Sequence, residues 1–588
     1  MTGTPRPAST DGWIGALART ARIDAQPGRI FPVVIDELAA AHGDAPALIG
    51  ADETLSHADL AARQNRYARW ALARGFARGD TVALLMRNRP DYLAIWLGLT
   101  RAGLRVALLN TNLRAEGLAH CIGVAAPRLV IAETGLGDAL HGALPHLDPA
   151  PAILWQGPGA TPSLAEAAAG LDGAPLRVDE APPLTLRDEA LLIYTSGTTG
   201  LPKAARVSHH RIMSWTHWFA GLIDPTPADR MYDCLPLYHS VGGVVAPGST
   251  LLGGGAVVIR EKFSARTFWA DVAQSGATLF QYIGELCRYL AAAPPDPLER
   301  AHRLRLCTGN GLRPEVWEAF QARFAIPRVL EFYAATEGTL SLYNVEGRVG
   351  AVGRVPPFMA RRSPALIVRH DHATGLPLRD AEGYCIPAGL DEPGELLGRL
   401  STRAEYSFEG YTSAAESDRK VLRDVLAPGD AWMRTGDLMR RDAQGYFYFV
   451  DRIGDTFRWK GENVATTEVA EALSRCAGVR EAAVYGVAVP GTDGRAGMAA
   501  LVTGPGFDVA RLYAELAERL PPYARPLFLR LCPELGHTET FKQTKAGLVA
   551  EGFDPALTPD PLYVAHDGAY RRLDAETVAR IRAGTVRL

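Results

Sequence analysis

Short apolar runs alternate with helical patterns through most of the chain. The runs DTVALLMRN, LRVALLNT, RLVIAE and AVVIRE are typical of buried strands, and DYLAIWLGLTRAG and ARTFWADVAQSG have the apolar spacing of helices. Strands that alternate with helices usually form parallel sheets that the helices cover. We therefore expect an α/β fold, with a large N-terminal domain of several subdomains in which helices flank mostly parallel sheets.

The pattern changes after the segment GYFYFVDRIGD, where shorter units begin. EVAEALSRCAG and VARLYAELAERL have helical spacing, whereas EAAVYGVAV and MAALVTG are typical of strands. These units predict a smaller α+β domain with its own core, and the boundary falls near Asp451 to Gly454. We assign residues 1–30 to an N-terminal extension, 31–452 to the large domain and 453–588 to the C-terminal domain.

The length and composition are those of a globular protein with more than one domain. A chain of 588 residues exceeds what one core organises, and 47% apolar with 22% charged residues is ordinary for such proteins. The net charge of −3 offers no electrostatic case for nucleic acid or an anionic membrane. Seven cysteines without a CxxC pair argue against a disulfide framework and a zinc site, which favours a cytoplasmic setting.

Two segments bear on contact with a membrane. The N-terminal stretch MTGTPRPASTDGWIGALARTARI lacks the basic start and apolar block of a secretory signal. The uncharged stretch from Ser240 to Ile259 contains six glycines and Pro247, so buried α/β core explains it better than a membrane span. No strongly basic amphipathic helix supports peripheral contact, although long-chain acids partition into bilayers.

The stretch YTSGTTGLPK, from Tyr194 to Lys203, is too poor in packing groups to fill a core. Gly, Ser and Thr offer backbone N–H groups and hydroxyls without bulk, which suits a loop that holds phosphate, and Lys203 adds a cation. A Walker P-loop requires Gly-Lys-Ser/Thr, whereas Leu201 and Pro202 separate Gly200 from Lys203 here. A P-loop NTPase is therefore disfavoured, and an ordinary polar hairpin loop remains the alternative.

The loop closely resembles the signature of AMP-forming acyl/aryl-CoA ligases, the adenylating superfamily. Four further motifs follow in that family's order: CTGNGL on the adenine side, FYAATEG, RTGDL for the ribose, and the hinge DRIGDTFRWKGENV. PLYHSVGG, VVIREKFSARTFW, TFKQTKAGLVAEGFDP and the tail DPLYVAHDGAYRRLDAETVARIRAG resemble the branch of fatty acid transport proteins, or very-long-chain acyl-CoA synthetases. The resemblance covers roughly Phe31 to the end and implies ATP, Mg²⁺ and coenzyme A as cofactors and co-substrates.

The resemblance also implies nucleotide-binding roles for the motif residues. The β- and γ-phosphates would be held by Thr195, Ser196, Gly197, Thr198, Thr199 and Gly200, with Lys203 nearby. Glu337, after Thr336, would hold Mg²⁺ because a cation that bridges phosphates prefers hard oxygen ligands, and Thr195 is a second candidate. The adenine would meet Tyr333, Gly309, Asn310 and Gly311, and the ribose would meet Asp437 and Arg452. Taken alone, Glu337 and Asp437 would more often be turn residues, and Tyr333 a core residue.

Two further residues would act on the acyl group. His239 resembles the family position beside the acyl carboxylate, although a core or capping histidine fits the sequence nearly as well. We expect Gly242 and Gly243 to leave room for an acyl chain. The catalytic lysine of relatives follows a glycine, but Phe541 stands there in this chain, which leaves Lys542 and Lys545. Lys542 fits better because another cation follows it three positions later, with a solvated surface lysine as the alternative.

The superfamily carries out two half-reactions by rotating its small domain, so the C-terminal domain should be mobile. The hinge position is Gly454, and glycine can absorb a large change in φ and ψ. After rotation the segment RWKGENV would face the active site, and Gly461 would leave space for the pantetheine arm of coenzyme A.

We therefore expect a ligase that activates a long or very long chain fatty acid as acyl-AMP and transfers it to coenzyme A. One alternative is a ligase for another hydrophobic acid, with a steroid side chain or an aryl group, or one that delivers to a carrier-protein thiol. The other is a fatty-acid uptake protein without catalysis, against which Thr195, Glu337, Asp437 and Lys542 argue because binding alone needs no phosphate chemistry. We expect a cytoplasmic location and leave peripheral contact at the inner face of the membrane open.

Overall fold

The computed structural model describes residues 9–160, 163–180, 182–195, 201–360, 363–371, 374–401, 408–459, 462–490, 492, 494–537, 543–583 and 585–586. Contacts along the chain divide it into two compact units. Unit 1 comprises Met1–Pro364 and Arg399–Val421, and unit 2 comprises Ala365–Gly398 and Leu422–Leu588.

Unit 1 alternates strands and helices. Its helices are α1 (Ser9–Thr20), α2 (Phe31–His42), α3 (His57–Ala73), α4 (Pro90–Arg101), α5 (Ala115–Ala125), α6 (Gly137–Ala143), α7 (Leu164–Ala168), α8 (His209–Ile223), α9 (Ala246–Leu251), α10 (Phe268–Ser275), α11 (Gly284–Ala292), α12 (Pro314–Phe324) and α13 (Ala414–Asp418). Its strands are β1 (Pro46–Ile49), β2 (Thr54–Ser56), β3 (Thr81–Leu85), β4 (Arg105–Leu108), β5 (Leu129–Glu133), β6 (Ala152–Gln156), β7 (Glu189–Thr195), β8 (Lys203–Ser208), β9 (Arg230–Asp233), β10 (Ala256–Ile259), β11 (Leu279–Ile283), β12 (Leu306–Asn310), β13 (Val329–Ala334), β14 (Ser341–Asn344) and β15 (Gly353–Arg354).

The strands of unit 1 form two sheets. A six-stranded sheet has the order β6-β5-β3-β4-β7-β8, and only β8 runs antiparallel to its neighbour. The other sheet has the order β15-β14-β13-β12-β11-β9-β10-β1-β2 within this unit, and its pairings from β13 to β1 are parallel. Because parallel strands are buried on both faces, they appear in the sequence as continuous apolar runs. The structure confirms the predicted α/β fold of mostly parallel sheets flanked by helices.

Helices α3 and α4 show how the sequence builds this core. Ser56 caps α3 by accepting a hydrogen bond from the backbone N–H of Asp59 at 3.0 Å, and the Asp59 carboxylate accepts in return from the Ser56 N–H. Helix α4 is buried from Pro90 to Thr100, which matches its almost uniformly apolar sequence. The two helices pack closely at Gly98, where an added Cβ would lie 2.5 Å from the carbonyl oxygen of Gln64.

The uncharged segment from Ser240 to Ile259 belongs to the core of unit 1. It forms a short π-helix (Val241–Val245), then α9 and then β10, and most of its residues are buried. This confirms the interpretation of the segment as α/β core. In the part of the chain that the structure describes, no helix combines the length and apolarity that crossing a bilayer requires.

The first described helix packs against unit 1. In α1, the Trp13 side chain is 3% exposed and its ring contacts those of Trp218 and Tyr343, with centroids 6.3 and 6.1 Å away. At Gly15 and Gly221 the backbones of α1 and α8 approach so closely that an added Cβ would clash. Residues 9–20 of the predicted N-terminal extension therefore contribute to the core.

Unit 2 contains several groups of paired strands and four helices among its described residues. Its strands are β16 (Ala365–Val368), β17 (His370–Asp371), β18 (Leu376–Pro377), β19 (Gly394–Arg399), β20 (Val421–Arg423), β21 (Ala431–Arg441), β22 (Tyr446–Arg452), β23 (Phe457–Trp459), β24 (Glu462–Val464), β25 (Val479–Ala488), β26 (Arg495–Thr503), β27 (Phe528–Cys532), β28 (Leu562–His566) and β29 (Ala569–Arg572). Its helices are α14 (Thr466–Ser474), α15 (Val509–Ala517), α16 (Ala546–Glu551) and α17 (Ala575–Arg582).

The two larger groups of paired strands in unit 2 have separate apolar cores, and β17-β18 and β23-β24 form two further small pairs. The order β16-β19-β21-β22, with β20 beside β21, covers a small cluster that includes Val368, Leu397 and Trp432. The five-stranded sheet β25-β26-β27-β28-β29 has a larger core that extends from Phe457 to Ile581. The smaller α+β domain of the sequence analysis corresponds to this second core. The boundary between residues 452 and 453 stays a prediction about which part of the chain moves.

Candidate active site

The Gly/Thr loop joins the two strands of a buried hairpin in unit 1. Strand β7 buries Ala190 to Tyr194 and ends at Thr195, which pairs in register with Lys203 at the start of β8. The two residues therefore stand opposite each other where the loop begins and ends. The intervening Ser196, Gly197, Thr198, Thr199 and Gly200 lie outside the described residues.

Tyr411 binds Glu337 beside Thr195. Its hydroxyl donates a hydrogen bond to Oε1 of Glu337 at 2.8 Å, and the nearby Thr195 side chain acts on the phenol by lowering its pKa. Burial, with the Glu337 carboxylate as the second cause, raises the pKa of the Tyr411 phenol far above its ordinary value. The sequence analysis missed Tyr411, because the only local signal in FEGYTS is an aromatic residue after a glycine.

Glu337 follows β13 in a turn that Arg211 holds. The Arg211 guanidinium donates to the carbonyl oxygens of Thr336 and Gly338 at 2.9 and 2.8 Å. Arg211 lies in the first turn of α8, which Ser208 caps, and its side chain is nearly buried. Because two backbone acceptors are fixed by one planar donor group, the turn that carries Glu337 has a defined conformation. Arg211 is a second residue that the sequence analysis missed.

His239 lies beside the same turn. The next residue, Ser240, has its hydroxyl 3.1 Å from that of Thr336, which links the PLYHSVGG segment to the FYAATEG motif. The glycines after it do not leave the room that we expected for an acyl chain. An added Cβ would lie 2.7 Å from the Pro236 carbonyl oxygen at Gly242, and 1.8 Å from that of Leu237 at Gly243. The glycines serve close backbone packing in the π-helix.

Lys203 is paired within unit 1. Its ammonium group forms an ion pair with the Glu416 carboxylate and lies 5.8 Å from the centre of the Tyr411 ring. Glu416 stands at the start of α13, and its ion pair with Lys203 lowers the pKa of its carboxyl group. This ion pair holds the Lys203 ammonium group beside the Gly/Thr loop, and Lys203 is the residue at which that loop ends.

The adenine-side motif ends strand β12 in a tight turn. Gly311 has φ +79°, and an added Cβ at Gly309 would lie 2.3 Å from the carbonyl oxygen of Tyr282. Both positions therefore require glycine. Asn310 lies between them at the end of β12, and Tyr333 lies near the end of the neighbouring strand β13.

Glu331 holds the turn after β12 through hydrogen bonds. Its carboxyl group is fully buried and accepts hydrogen bonds from the Tyr282 hydroxyl and from the backbone N–H of Leu312, the latter at 3.0 Å. Burial raises its pKa to about 8. The sequence offered a signal for Glu331, since a single acid stands within the apolar strand VLEFYA, and the sequence analysis did not use it.

The buried Glu331 carboxyl should make stability depend on pH. Its pKa is about 8 in the folded state and near the ordinary value of 4.5 in the unfolded state. Its contribution to the free energy of unfolding is therefore largest at low pH and is lost as the pH rises through about 8. The glutamine of Glu331→Gln cannot ionise. We therefore expect the difference in melting temperature between this variant and the wild type to shift in favour of the variant by about 2–4 °C from pH 6 to pH 9. Exposed Glu318→Gln is the control, and a difference that does not change with pH would contradict the prediction.

In unit 2, the ribose motif lies within paired strands. Asp437 in β21 stands opposite Arg452 in β22, and Oδ1 of Asp437 is 3.6 Å from Nε of Arg452. Arg434 of the same motif pairs with the fully buried Glu395 at 2.7 Å, which anchors β21. Asp437 is therefore a strand residue beside a cation and not the turn residue of the alternative interpretation.

The hinge segment is held by Lys545. Its ammonium group lies 3.0 Å from Oδ2 of Asp455 and 3.2 Å from the Thr466 hydroxyl. Asp455 follows Gly454, whose φ of +96° lies in the region that favours glycine. Lys545 thus has partners within unit 2, whereas Phe541, Lys542 and Gly461 lie outside the described residues.

Comparison with known proteins agrees with these motifs. The model of the family described as "AMP-binding enzyme" matches residues 35–411, and that of the "AMP-binding enzyme C-terminal domain" matches 468–542. Long-chain fatty acid transport protein 3 of Homo sapiens is 45% identical over 521 residues, which cover 87% of this chain and 76% of the relative. Long-chain fatty acid transport protein 1 of Mus musculus is 42% identical over 577 residues, which cover 95% and 88%.

A solved structure shows the same fold. ATP-bound MatB from Rhodopseudomonas palustris has a TM-score of 0.74 and 26% identity, over 88% of this chain and 98% of that one. The family match spans most of the chain, and the identity to the two transport proteins is high over most of their length. The chain therefore belongs to the AMP-binding enzyme family, in the branch of the long-chain fatty acid transport proteins.

Proposed function

We propose that this chain is an ATP- and Mg²⁺-dependent ligase that joins a long or very long chain fatty acid to coenzyme A. One observation carries the proposal: residues from three motifs that are distant in sequence meet in unit 1. The Tyr411 hydroxyl, whose pKa the Thr195 side chain lowers, donates to Glu337, and Thr336 contacts Ser240 beside His239. Triphosphate loop, metal ligand and acyl-side histidine are the parts that adenylation requires.

The reaction would proceed in two steps. An oxygen of the fatty acid carboxylate attacks the α-phosphorus of ATP, the bond to the β-phosphate oxygen breaks, and pyrophosphate leaves. The thiol of coenzyme A, after loss of its proton to solvent, then attacks the acyl carbon of the acyl-AMP, and AMP leaves with the bonding pair. Both steps build negative charge, so positioning and charge neutralisation do most of the work.

Glu337 and Thr195 fit a magnesium ion. They offer a carboxylate and a hydroxyl, the hard oxygen ligands that Mg²⁺ prefers beside phosphates, and Tyr411 holds the carboxylate. When bound, Mg²⁺ would neutralise the charge of the phosphate oxygens. In the same proposal Lys203 and residues 196–200 bind the phosphates, and His239 lies beside the acyl carboxylate.

The other assignments remain part of the proposal. Gly309, Asn310, Gly311 and Tyr333 would bind adenine, supported by the tight turn after β12. Asp437 and Arg452 would bind ribose, supported by their pairing across β21 and β22. Lys542 would act in adenylation, and Gly461 would act in the transfer to coenzyme A. These two assignments rest only on the resemblance of their motifs to those of the family.

The names of the relatives support a fatty acid as the substrate. They favour it over the steroid side-chain and aryl acids, and membership of an enzyme family disfavours the non-catalytic uptake protein. ATP and coenzyme A are the co-substrates that the family implies. The cytoplasmic location and peripheral contact with a membrane stay predictions.

A panel of acids tests the proposal. Purified enzyme would receive ATP, Mg²⁺ and fatty acids of graded length, with a steroid acid and benzoate for comparison, and pyrophosphate release would be followed. We expect release with long-chain acids only, and mass spectrometry should find the acyl-CoA when coenzyme A is present. Saturable binding of fatty acid without pyrophosphate release, or release with benzoate alone, would overturn the proposal.

A further inference from the structure

Tyr411 comes from a part of the chain far from the residues that it contacts. It lies 74 residues after Glu337, and its backbone forms an antiparallel bridge with Ala205 in β8. The flanking backbone extends this pairing, because the N–H of Thr412 donates to the carbonyl of Ala204 at 3.0 Å. Tyr411 is 4% exposed, so its ring is held by the strand and by packing independently of its hydroxyl.

The Tyr411 hydroxyl holds one oxygen of the Glu337 carboxylate. The phenol proton is donated to Oε1 of Glu337 at 2.8 Å, and a carboxylate can only accept. Among the described residues, no hydrogen bond reaches the second oxygen of Glu337, Oε2. The hydroxyl therefore fixes the carboxylate and occupies only one of its oxygens.

The surroundings keep the phenol a donor. The phenol donates its proton to the Glu337 carboxylate. The Lys203 ammonium, 5.8 Å from the centre of the ring, is paired with Glu416. The phenol thus acts as a donor inside a charged cluster.

We propose that Tyr411 is a positioning residue for adenylation, which holds Glu337 in the arrangement that binds Mg²⁺ with ATP. This inference rests on the proposed function. Groups that orient a metal ligand commonly change metal affinity 10–100-fold when they are removed. The loss of the hydroxyl should therefore appear in the Mg²⁺ dependence of the first half-reaction and spare the second.

Tyr411→Phe removes the hydroxyl and keeps the ring. We expect the Mg²⁺ concentration for half-maximal pyrophosphate release, at saturating fatty acid, to rise about tenfold. Conversion of supplied acyl-adenylate to acyl-CoA should stay within about twofold of the wild-type rate. The maximal rate of pyrophosphate release at high Mg²⁺ should stay within about tenfold of the wild-type rate. A merely structural role would lower both half-reactions without a shift in Mg²⁺ dependence.

Tyr67→Phe is the matched control. Tyr67 is buried in unit 1 and donates to a carboxylate, Oδ1 of Asp91, at 2.6 Å, but no motif of the proposed site includes either residue. It should lose a comparable hydrogen bond and keep the wild-type Mg²⁺ dependence.

A double mutant provides an independent measurement if Tyr411→Phe is less stable than expected. In a Glu337→Gln background, Tyr411→Phe should lower the residual rate by less than about threefold, because the residue that it positions has already been changed. Multiplicative losses would overturn the inference, as would an unchanged Mg²⁺ dependence in an active Tyr411→Phe enzyme. A wild type that releases no pyrophosphate with any acid would overturn the proposed function and this inference together.

Discussion

Glu337→Gln is expected to lower the rate of pyrophosphate release by on the order of a hundredfold, equivalent to about 2.7 kcal/mol in the activation barrier. The amide keeps the shape of the side chain and an oxygen that can accept from Tyr411, which lies 2.8 Å from Oε1. It removes the negative charge that a phosphate-bridging Mg²⁺ requires. The rate would be measured with ATP and a long-chain fatty acid over a range of Mg²⁺ concentrations.

Glu346→Gln is the control for this experiment. Glu346 is a half-buried acid of unit 1 that pairs with Arg354 at 3.1 Å, so the substitution removes a comparable charge away from the motif residues. It should retain most of the wild-type rate. A Glu337→Gln enzyme with more than about a third of that rate would contradict the assignment of Glu337 as the metal ligand.

Lys542→Ala is expected to separate the two half-reactions. We expect pyrophosphate release to fall by on the order of a hundredfold or more, because a cation that meets developing charge in the first step is lost. Conversion of supplied acyl-adenylate to acyl-CoA should remain within about threefold of the wild type. Both half-reactions would be measured on the same preparation, and exposed Lys262→Ala would serve as the control.

Lys545→Ala decides between the two candidate lysines. Its ammonium group is already bound by Asp455 and Thr466, so we expect a loss of less than about tenfold in adenylation. If Lys545→Ala lost pyrophosphate release selectively and Lys542→Ala did not, the catalytic role would belong to Lys545. Survival of both half-reactions in both variants would exclude either lysine from adenylation.

Much of the fold could be predicted because its signals are local. Strands such as β3, β4 and β5 are buried on both faces, and their apolar runs mark them directly in the sequence. The segment from Ser240 to Ile259 was assigned to the core because its glycines and Pro247 oppose a membrane helix, and the structure agrees. The order of the motifs also identified the family, since each motif is contiguous.

Other expectations were wrong or incomplete where they depended on distant parts of the chain. We expected Gly242 and Gly243 to leave room for an acyl chain, but the backbone of Pro236 and Leu237 fills that space. The assignment of the first thirty residues to an extension stays a prediction, and it did not foresee that Trp13 is 3% exposed among aromatic rings of unit 1. A glycine or a tryptophan looks the same in sequence whether it faces solvent, a ligand or another strand.

The sequence by itself determined the α/β class, the family and the motif residues that we propose to meet the phosphates, because periodicity and contiguous motifs record them. Only the tertiary structure decided which residues support that chemistry. Tyr411 reaches Glu337, Arg211 holds the Thr336 turn, and Glu331 supports the loop at Gly311. These contacts join strands and loops that are distant along the chain. Hydrogen bonds of this kind depend on how the sheets pack, and no local pattern records them.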